Sequence, residues 1–218
     1  MSSQRVPAFL TLFFILILPL DIHAAGDAVR GAALAAECEQ CHGNAGENRI
    51  EGFPNLANQH YKYLVKQLRE MRKSAKERYG QAKPARPDIE ALLRARRSNE
   101  IMDPFVVELS DQDIRDLAAY YAGQTCDQII TGSPLPAPKL ENRCRVCHGE
   151  YGIAMSSSIP NIAGQDVNYL IQQMLDFKAA SEDGDKKRRA GIMEGQVRHL
   201  SEQDIRDISL YYARLPCR

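Results

Sequence analysis

The sequence contains no tryptophan and no excess of either charge, with 28 basic and 28 acidic side chains. A formal net charge of zero gives no indication of nucleic-acid binding. We find no clear period-two alternation of a strand, no Gly-rich phosphate loop and no nucleophilic triad. Beyond the N-terminus, no apolar run approaches the roughly 20 residues of a membrane span. The absence of strand-like alternation, together with helical apolar stripes in both halves of the chain, predicts an all-α protein.

Residues 1–25 are typical of a secretory signal peptide. Arg5 precedes a short apolar run at residues 8–18, and small residues end in Ala24 and Ala25. We predict cleavage near this point and export to the periplasm. An uncleaved anchor and a loose association of the mature chain with the membrane surface remain alternatives.

A Cys-x-x-Cys-His motif occurs twice, at Cys38, Cys41 and His42 and at Cys144, Cys147 and His148. This spacing is the attachment signature of c-type haem, in which two thiols bind the macrocycle and the histidine binds iron. We therefore predict two covalently bound haem c groups. The alternatives are a zinc tetrathiolate, although 102 residues lie between Cys41 and Cys144, and a thioredoxin-like dithiol, although no βαβ pattern surrounds the motifs.

The chain is an internal duplication. Residues 53–59 repeat at 159–165, at the same offset of 106 positions as the haem motifs. Residues 109–116 repeat at 200–207 at an offset of 91, so the first copy carries 15 extra residues between Arg72 and Ile101. We predict a first domain at 26–128, a Pro-rich linker at 129–138 and a second domain at 139–218.

Each copy shows helical periodicity. Residues 28–37 and 140–146 are expected to form helices that lead into the haem motifs. Apolar stripes follow at 61–71 and 167–177, and Ser110 and Ser201 are expected to cap the last helix of each copy. The predicted core faces of these last helices are Ile114, Leu117 and Tyr121, and Ile205, Ile208 and Tyr212.

The duplication also restricts the choice of a second axial ligand, because a ligand is expected in both copies. Only Met102 and Met193 coincide, each in a predicted loop before the last helix. The other candidates lack a counterpart and are interpreted as packing residues or excluded: Met71, Met155, Met174, His60 and His199. Pro54 and Pro160 each lie 12 residues after the motif histidine. Their backbone carbonyls could accept a hydrogen bond from the imidazole Nδ1–H, or the prolines could simply be turn residues.

The chain resembles dihaem cytochromes of the c4 type. The resemblance rests on the two haem motifs, the Pro-Asn-Leu/Ile-Ala-x-Gln segments at Pro54 and Pro160, and the paired methionines. The resemblance implies two tandem cytochrome c domains packed about a pseudo-twofold axis. It also implies that Cys38, Cys41, His42 and Met102 serve one haem and that Cys144, Cys147, His148 and Met193 serve the other. The family carries electrons in the periplasm, commonly toward terminal oxidases.

Two features depart from the usual family pattern. The first is the insertion, a basic stretch that could dock an acidic partner or form an ordinary solvated segment: Lys73, Lys76, Arg78, Lys83, Arg86, Arg94, Arg96 and Arg97. The second is a pair of cysteines, Cys126 and Cys217, at equivalent places in the two copies. We expect them to bridge each other and tie the domains together, with an intermolecular bridge or two free thiols as alternatives.

The sequence therefore predicts a periplasmic electron-transfer protein with redox protein partners and no enzymatic activity of its own. A dihaem subunit of a larger oxidoreductase is the first alternative. A dihaem enzyme, such as a peroxidase or a thiosulfate-oxidising cytochrome, is the second, although paired methionine ligands would leave iron no open position. The oligomeric state is left open.

Overall fold

The computed structural model describes residues 26–48, 50–80, 101–126, 135–183 and 190–217. Its helices are α1 (Ala28–Leu34), α2 (Ala36–His42), a 3-10 turn (Asn44–Gly46), α3 (Tyr61–Tyr79), α4 (Asp103–Val106), α5 (Asp111–Ala122), α6 (Asn142–His148), α7 (Val167–Asp183), α8 (Gly191–Val197) and α9 (Glu202–Ala213). Within these ranges there is no strand. The predicted all-α fold class is confirmed.

The last helix of each copy begins at the predicted serine. The Ser110 hydroxyl accepts a hydrogen bond from the backbone N–H of Asp113 at 3.0 Å, and the Asp113 carboxylate accepts one from the backbone N–H of Ser110 at 2.8 Å. Ser201 and Asp204 form the same reciprocal pair at the start of α9. A capping box satisfies two N–H groups that the helix itself leaves unpaired, so both starts are fixed by local sequence.

Each domain has its own apolar core. In the first domain Leu64 of α3 packs with Leu117 and Tyr121 of α5. In the second domain the corresponding helices, α7 and α9, bury the following side chains: Leu170, Phe177, Ile205, Ile208 and Tyr212. The predicted core faces of both terminal helices are confirmed, since all six of their side chains are buried.

Two local expectations need correction. The helix predicted over residues 28–37 is divided at Ala35, which ends α1 and begins α2 and is completely buried. The segments that carry Met102 and Met193 are short helices rather than irregular loops. Met102 caps α4, and Met193 lies within α8.

The two domains meet through backbone-directed amide side chains. Gln59 donates to the carbonyl of Asn161 at 2.9 Å and accepts from the N–H of Asn161 at 2.9 Å. Gln165 makes the same two bonds with Asn55, at 3.0 and 2.7 Å. These four residues are equivalent in pairs at the offset of 106, so the bonds repeat with the roles exchanged. Such reciprocity is the signature of a two-fold relation between the domains.

The side-chain amides of the two asparagines complete this interface. Asn55 Nδ2 donates to the carbonyl of Gly164 at 2.7 Å, and Asn161 Nδ2 donates to the carbonyl of Asn58 at 2.8 Å. Three of these side chains are buried: Asn55, Gln59 and Gln165. Buried amides that lost these partners would each cost roughly 1–3 kcal/mol, so the set specifies one arrangement of the domains.

A disulfide joins Cys126 to Cys217, with their Cα atoms 5.6 Å apart. The bridge predicted from the equivalent positions of these cysteines is therefore confirmed. It connects the ends of the two domains beside the amide interface, because Asn58 Nδ2 donates to the carbonyl of Cys217 at 3.1 Å.

Several predicted segments lie outside the described residues: the signal peptide at 1–25, most of the insertion, and the first part of the linker. The predicted domain boundaries stay predictions. Within the described part of the chain, none of the helices combines the length and the apolar character needed to cross a bilayer.

Candidate functional site

Both Cys-x-x-Cys-His motifs lie at the C-terminal ends of helices, on α2 and α6. On a helix, residues three and four positions apart share a face. Cys38 therefore presents its thiol on the same face as Cys41 and His42. This helical setting differs from that of a thioredoxin-type dithiol, which is expected between a strand and a helix.

A glycine ends each of these helices directly after the histidine. Gly43 and Gly149 have φ of 76° and 81°, a conformation that disfavours any residue with a Cβ. A Cβ added at Gly43 would lie 1.9 Å from the carbonyl oxygen of Glu47, and one at Gly149 would lie 2.0 Å from that of Ile153. The chain can therefore turn back under the histidine only with glycine here.

The histidine rings are oriented by backbone carbonyls. His42 Nδ1 lies 2.9 Å from the carbonyl oxygen of Pro54, and His148 Nδ1 lies 3.0 Å from that of Pro160. A carbonyl oxygen can only accept, so each Nδ1 carries the proton and each Nε2 presents its lone pair. Of the two roles considered for Pro54 and Pro160, acceptance of a hydrogen bond from the histidine Nδ1 is the one observed. This tautomer is the one that a metal-binding Nε2 requires.

Both imidazoles line one cavity of about 790 Å³ that runs through the two domains. Burial lowers the pKa of His148, and the hydrogen bond to the carbonyl of Pro160 opposes this effect. The interface amides Asn55 and Gln165 also line the cavity. The space in one domain is therefore continuous with the space in the other, next to the inter-domain contact.

Met102 and Met193 line the same cavity as the two histidines. Both are partly buried and pack against the apolar cores. The structure thus brings together all four residues predicted to bind iron. Met71 and Met174, interpreted from the sequence as packing residues, also line the cavity and pack against the same cores. The interpretation of Met155 as a packing residue is wrong, because it lies in a surface turn and is fully exposed.

The histidines excluded as ligands have other partners. His60 Nε2 donates to the carbonyl of Ala154 at 2.8 Å, across the domain interface. His199 Nε2 accepts from the guanidinium of Arg198 at 2.9 Å.

The sequence model of the cytochrome c family matches this chain twice, at residues 28–123 and 139–215. The chain belongs to the cytochrome c family. It is 32% identical to cytochrome c4 of Pseudomonas aeruginosa over 203 residues, which cover 87% of this chain and 89% of the relative. The crystal structure of reduced recombinant cytochrome c4 from Pseudomonas stutzeri is similar, with a TM-score of 0.60, 30% identity, and coverage of 88% of this chain and all of that one.

The chain is also 28% identical to a thiosulfate dehydrogenase electron acceptor of Stutzerimonas stutzeri over 185 residues, 83% of this chain and 80% of the relative. The tandem cytochrome c domains and the c4 relatives identify the protein as a dihaem cytochrome of the c4 type. Two cytochrome c domains imply two covalently bound haem c groups, as the sequence predicted.

The cavity of this cytochrome fits such groups. Three buried polar atoms of the described residues have no hydrogen-bond partner: the Tyr121 hydroxyl, Gln173 Oε1 and the Ser209 hydroxyl. All three residues line the cavity. A buried polar group without a partner is costly, so a ligand with polar substituents is expected to satisfy them.

The attachment thiols differ in exposure. Cys38 and Cys144 are half-buried, whereas Cys147 is exposed. Burial raises the pKa of the Cys144 thiol to about 11, with the Glu141 carboxylate adding to this effect and Arg143 opposing it. In the second motif one thiol is therefore half-buried in the cavity wall and the other is exposed at its rim, whereas Cys41 of the first motif is half-buried.

Sequence reasoning missed an ion pair beside Met102. Arg78, near the end of α3, donates from Nε and Nη2 to the carboxylate of Asp103, at 2.8 and 2.6 Å. The Asp103 side chain is completely buried. Of the basic residues considered for partner docking, Arg78 is thus engaged internally. No signal in the duplication could have revealed this pair, because Arg78 lies where the two copies diverge.

We expect Arg78→Ala to loosen the helix turn that carries Met102. Removing one partner of a buried ion pair costs about 3–5 kcal/mol, because the other charge is left uncompensated. In the ferric cytochrome, the far-red absorption band of a thioether–iron bond should lose up to half of its intensity on mild warming. Arg78→Lys, which keeps the charge, should restore part of it. A band as heat-resistant in Arg78→Ala as in the wild type would show that the pair does not position Met102.

Proposed function

We propose that this cytochrome carries electrons between redox proteins of a respiratory chain and has no enzymatic activity of its own. In this proposal His42 and Met102 bind one iron, His148 and Met193 bind the other, and the four motif cysteines hold the porphyrins. Each bound haem would supply one reversible electron-accepting centre.

One observation supports the proposal most directly: a single cavity contains both carbonyl-oriented histidines and both paired methionines. A histidine and a methionine on opposite faces of an iron leave no position open for a substrate. Thioether sulfur also favours the ferrous state and so raises the reduction potential. Asn55 and Gln165 of the inter-domain contact line this cavity, which supports two haems bound near each other across the interface and able to exchange electrons.

We also propose that the protein works in the periplasm. The N-terminal residues have the composition of a signal peptide, although they lie outside the described residues. The Cys126–Cys217 disulfide supports an oxidising compartment, because structural disulfides are rare in the bacterial cytoplasm.

The test is a spectroelectrochemical titration of the purified holoprotein, combined with haem quantification and exposure of the ferrous form to carbon monoxide. We expect two haems per chain, two one-electron steps and no rapid binding of carbon monoxide, because sulfur occupies the sixth position. Rapid binding by the ferrous protein would contradict the proposed ligands. Turnover of peroxide would contradict the carrier function.

A second candidate function is acceptance of electrons from a thiosulfate-oxidising enzyme. It is favoured by the 28% identity to the thiosulfate dehydrogenase electron acceptor. The ferric protein should then stay oxidised with thiosulfate alone and become reduced when a catalytic amount of thiosulfate dehydrogenase is added. A partner-dependent reduction of this kind would also separate a diffusing acceptor from a thiosulfate-oxidising enzyme.

A further inference from the structure

The two attachment helices carry opposite charges around equivalent cysteines. Glu37 and Glu39 flank Cys38, whereas Arg143 and Arg145 occupy the equivalent positions around Cys144, at the offset of 106. The residue between the two cysteines also differs, because polar Gln40 is replaced by Val146. The duplication has kept the motif and inverted the charge of its surroundings.

These charges act at the attachment sites themselves. At the first site Glu37 is exposed, and the half-buried carboxylate of Glu39 accepts hydrogen bonds from the Tyr120 hydroxyl at 3.0 Å and the backbone N–H of Ala45 at 3.1 Å. At the second site Arg143 and Arg145 are both exposed. Arg143 also lines the cofactor cavity. The first attachment edge is therefore acidic and the second carries basic groups.

The second edge is also accessible and partly apolar. Arg143 and Cys147 are exposed, and Val146 and Tyr151 are 81% and 64% exposed. Arg145 lies 3.7 Å from the buried carboxylate of Glu141 and keeps about half of its side chain in solvent. An apolar centre within a charged rim is the usual composition of a protein-binding patch. Between residues 141 and 151, Glu150 is the one exposed acidic residue.

We propose that an acidic redox protein docks on the second-domain edge formed by Arg143, Arg145, Val146 and Tyr151. The acidic edge of the first domain, with Glu37 and Glu39, disfavours the same partner. This docking surface rests on the proposed carrier function and specifies where that function exchanges electrons. Opposite charges on the two edges give each domain a different class of partner, since charge complementarity acts chiefly on the association rate.

The test compares two protein probes with the haem-loaded chain in a stopped-flow instrument over a range of ionic strength. Plant plastocyanin serves as the acidic probe and mitochondrial cytochrome c as the basic probe. For Arg143→Gln/Arg145→Gln, we expect about a tenfold lower second-order rate constant with plastocyanin at low salt and a flatter salt dependence. The rate constant with mitochondrial cytochrome c should fall by less than a factor of two.

Two further variants make the comparison specific. Arg206→Gln removes the same charge from an exposed site on α9 and should leave both rates unchanged. Arg143→Gln alone leaves the Arg145–Glu141 contact intact. This variant should still show a severalfold lower rate constant with plastocyanin than the wild type.

An unchanged rate with plastocyanin, or an equal loss with both probes, would overturn the docking surface while leaving the carrier function intact. A larger loss with the basic probe would also overturn it, and would assign the edge to a basic partner. If the wild-type holoprotein exchanged electrons with neither probe, the carrier function itself would fail, and this surface with it.

Discussion

Replacing Met193 with histidine is expected to lower the reduction potential of one haem by on the order of 0.2 V and to leave the other nearly unchanged. Axial ligands set haem potentials over a range of about 0.8 V, and imidazole stabilises ferric iron more than thioether sulfur does. Met193 lies on α8 and lines the cavity with His148. A spectroelectrochemical titration should show one of the two one-electron reductions shifted to lower potential. Half of the thioether–iron absorption should be lost.

The duplication provides the complementary variant. Met102→His should displace the other step, and the double variant should displace both. Met174→Leu is the matched control, because Met174 lines the same cavity but has no methionine counterpart in the first copy. It should leave both steps nearly in place. If Met193→His moved neither step, or if Met174→Leu moved one as far, the predicted iron ligands would be wrong.

Removing the inter-domain disulfide is expected to cause a large loss of stability without affecting the haem count. The bridge spans 91 positions of sequence. Closing a loop of this size restricts the unfolded chain, and removal typically costs about 2–5 kcal/mol. Cys126→Ser/Cys217→Ser should therefore shift the urea midpoint of unfolding downward while two haems per chain remain. The double substitution is preferred because either single one leaves a reactive thiol.

The same loss should appear when the wild-type disulfide is reduced. Wild type in excess phosphine reductant should match the double variant, which should itself be insensitive to the reductant. Both proteins must be compared in the ferrous state, so that reduction of the iron by the same treatment does not contribute to the difference. An unchanged midpoint in the double variant would mean that the amide interface alone fixes the domains, with Gln59 and Gln165 as its central contacts.

Features present in both copies could be predicted from the sequence. Ser110 and Ser201 were identifiable as caps because a capping box depends on residues three positions apart. The constant spacing of Pro54 and Pro160 from the histidines made their carbonyls one of two candidate roles, and the equivalent positions of Cys126 and Cys217 made a bridge between them the first expectation. In each case the duplication supplied a second instance of a local pattern.

Features that depend on long-range geometry could not be predicted. The segments containing Gln59 and Gln165 were recognised as repeats, but a repeated amide can bond within its own domain or across the interface. Arg78, which pairs with Asp103, lies where the sequences of the two copies diverge, so repetition carried no signal for this pair. Burial of Ala35 at the junction of α1 and α2 likewise depends on how the helices pack, which periodicity does not specify.

The position of the disulfide has a consequence for the segment between the domains. Since Cys126 precedes that segment and Cys217 lies in the far domain, the two halves have a second covalent connection besides the peptide chain. A proteolytic cut between residues 127 and 138 would leave a two-chain molecule whose halves stay at high effective concentration. The amide contacts could then re-form after each local opening, and the connecting peptide would be dispensable for keeping the redox pair assembled.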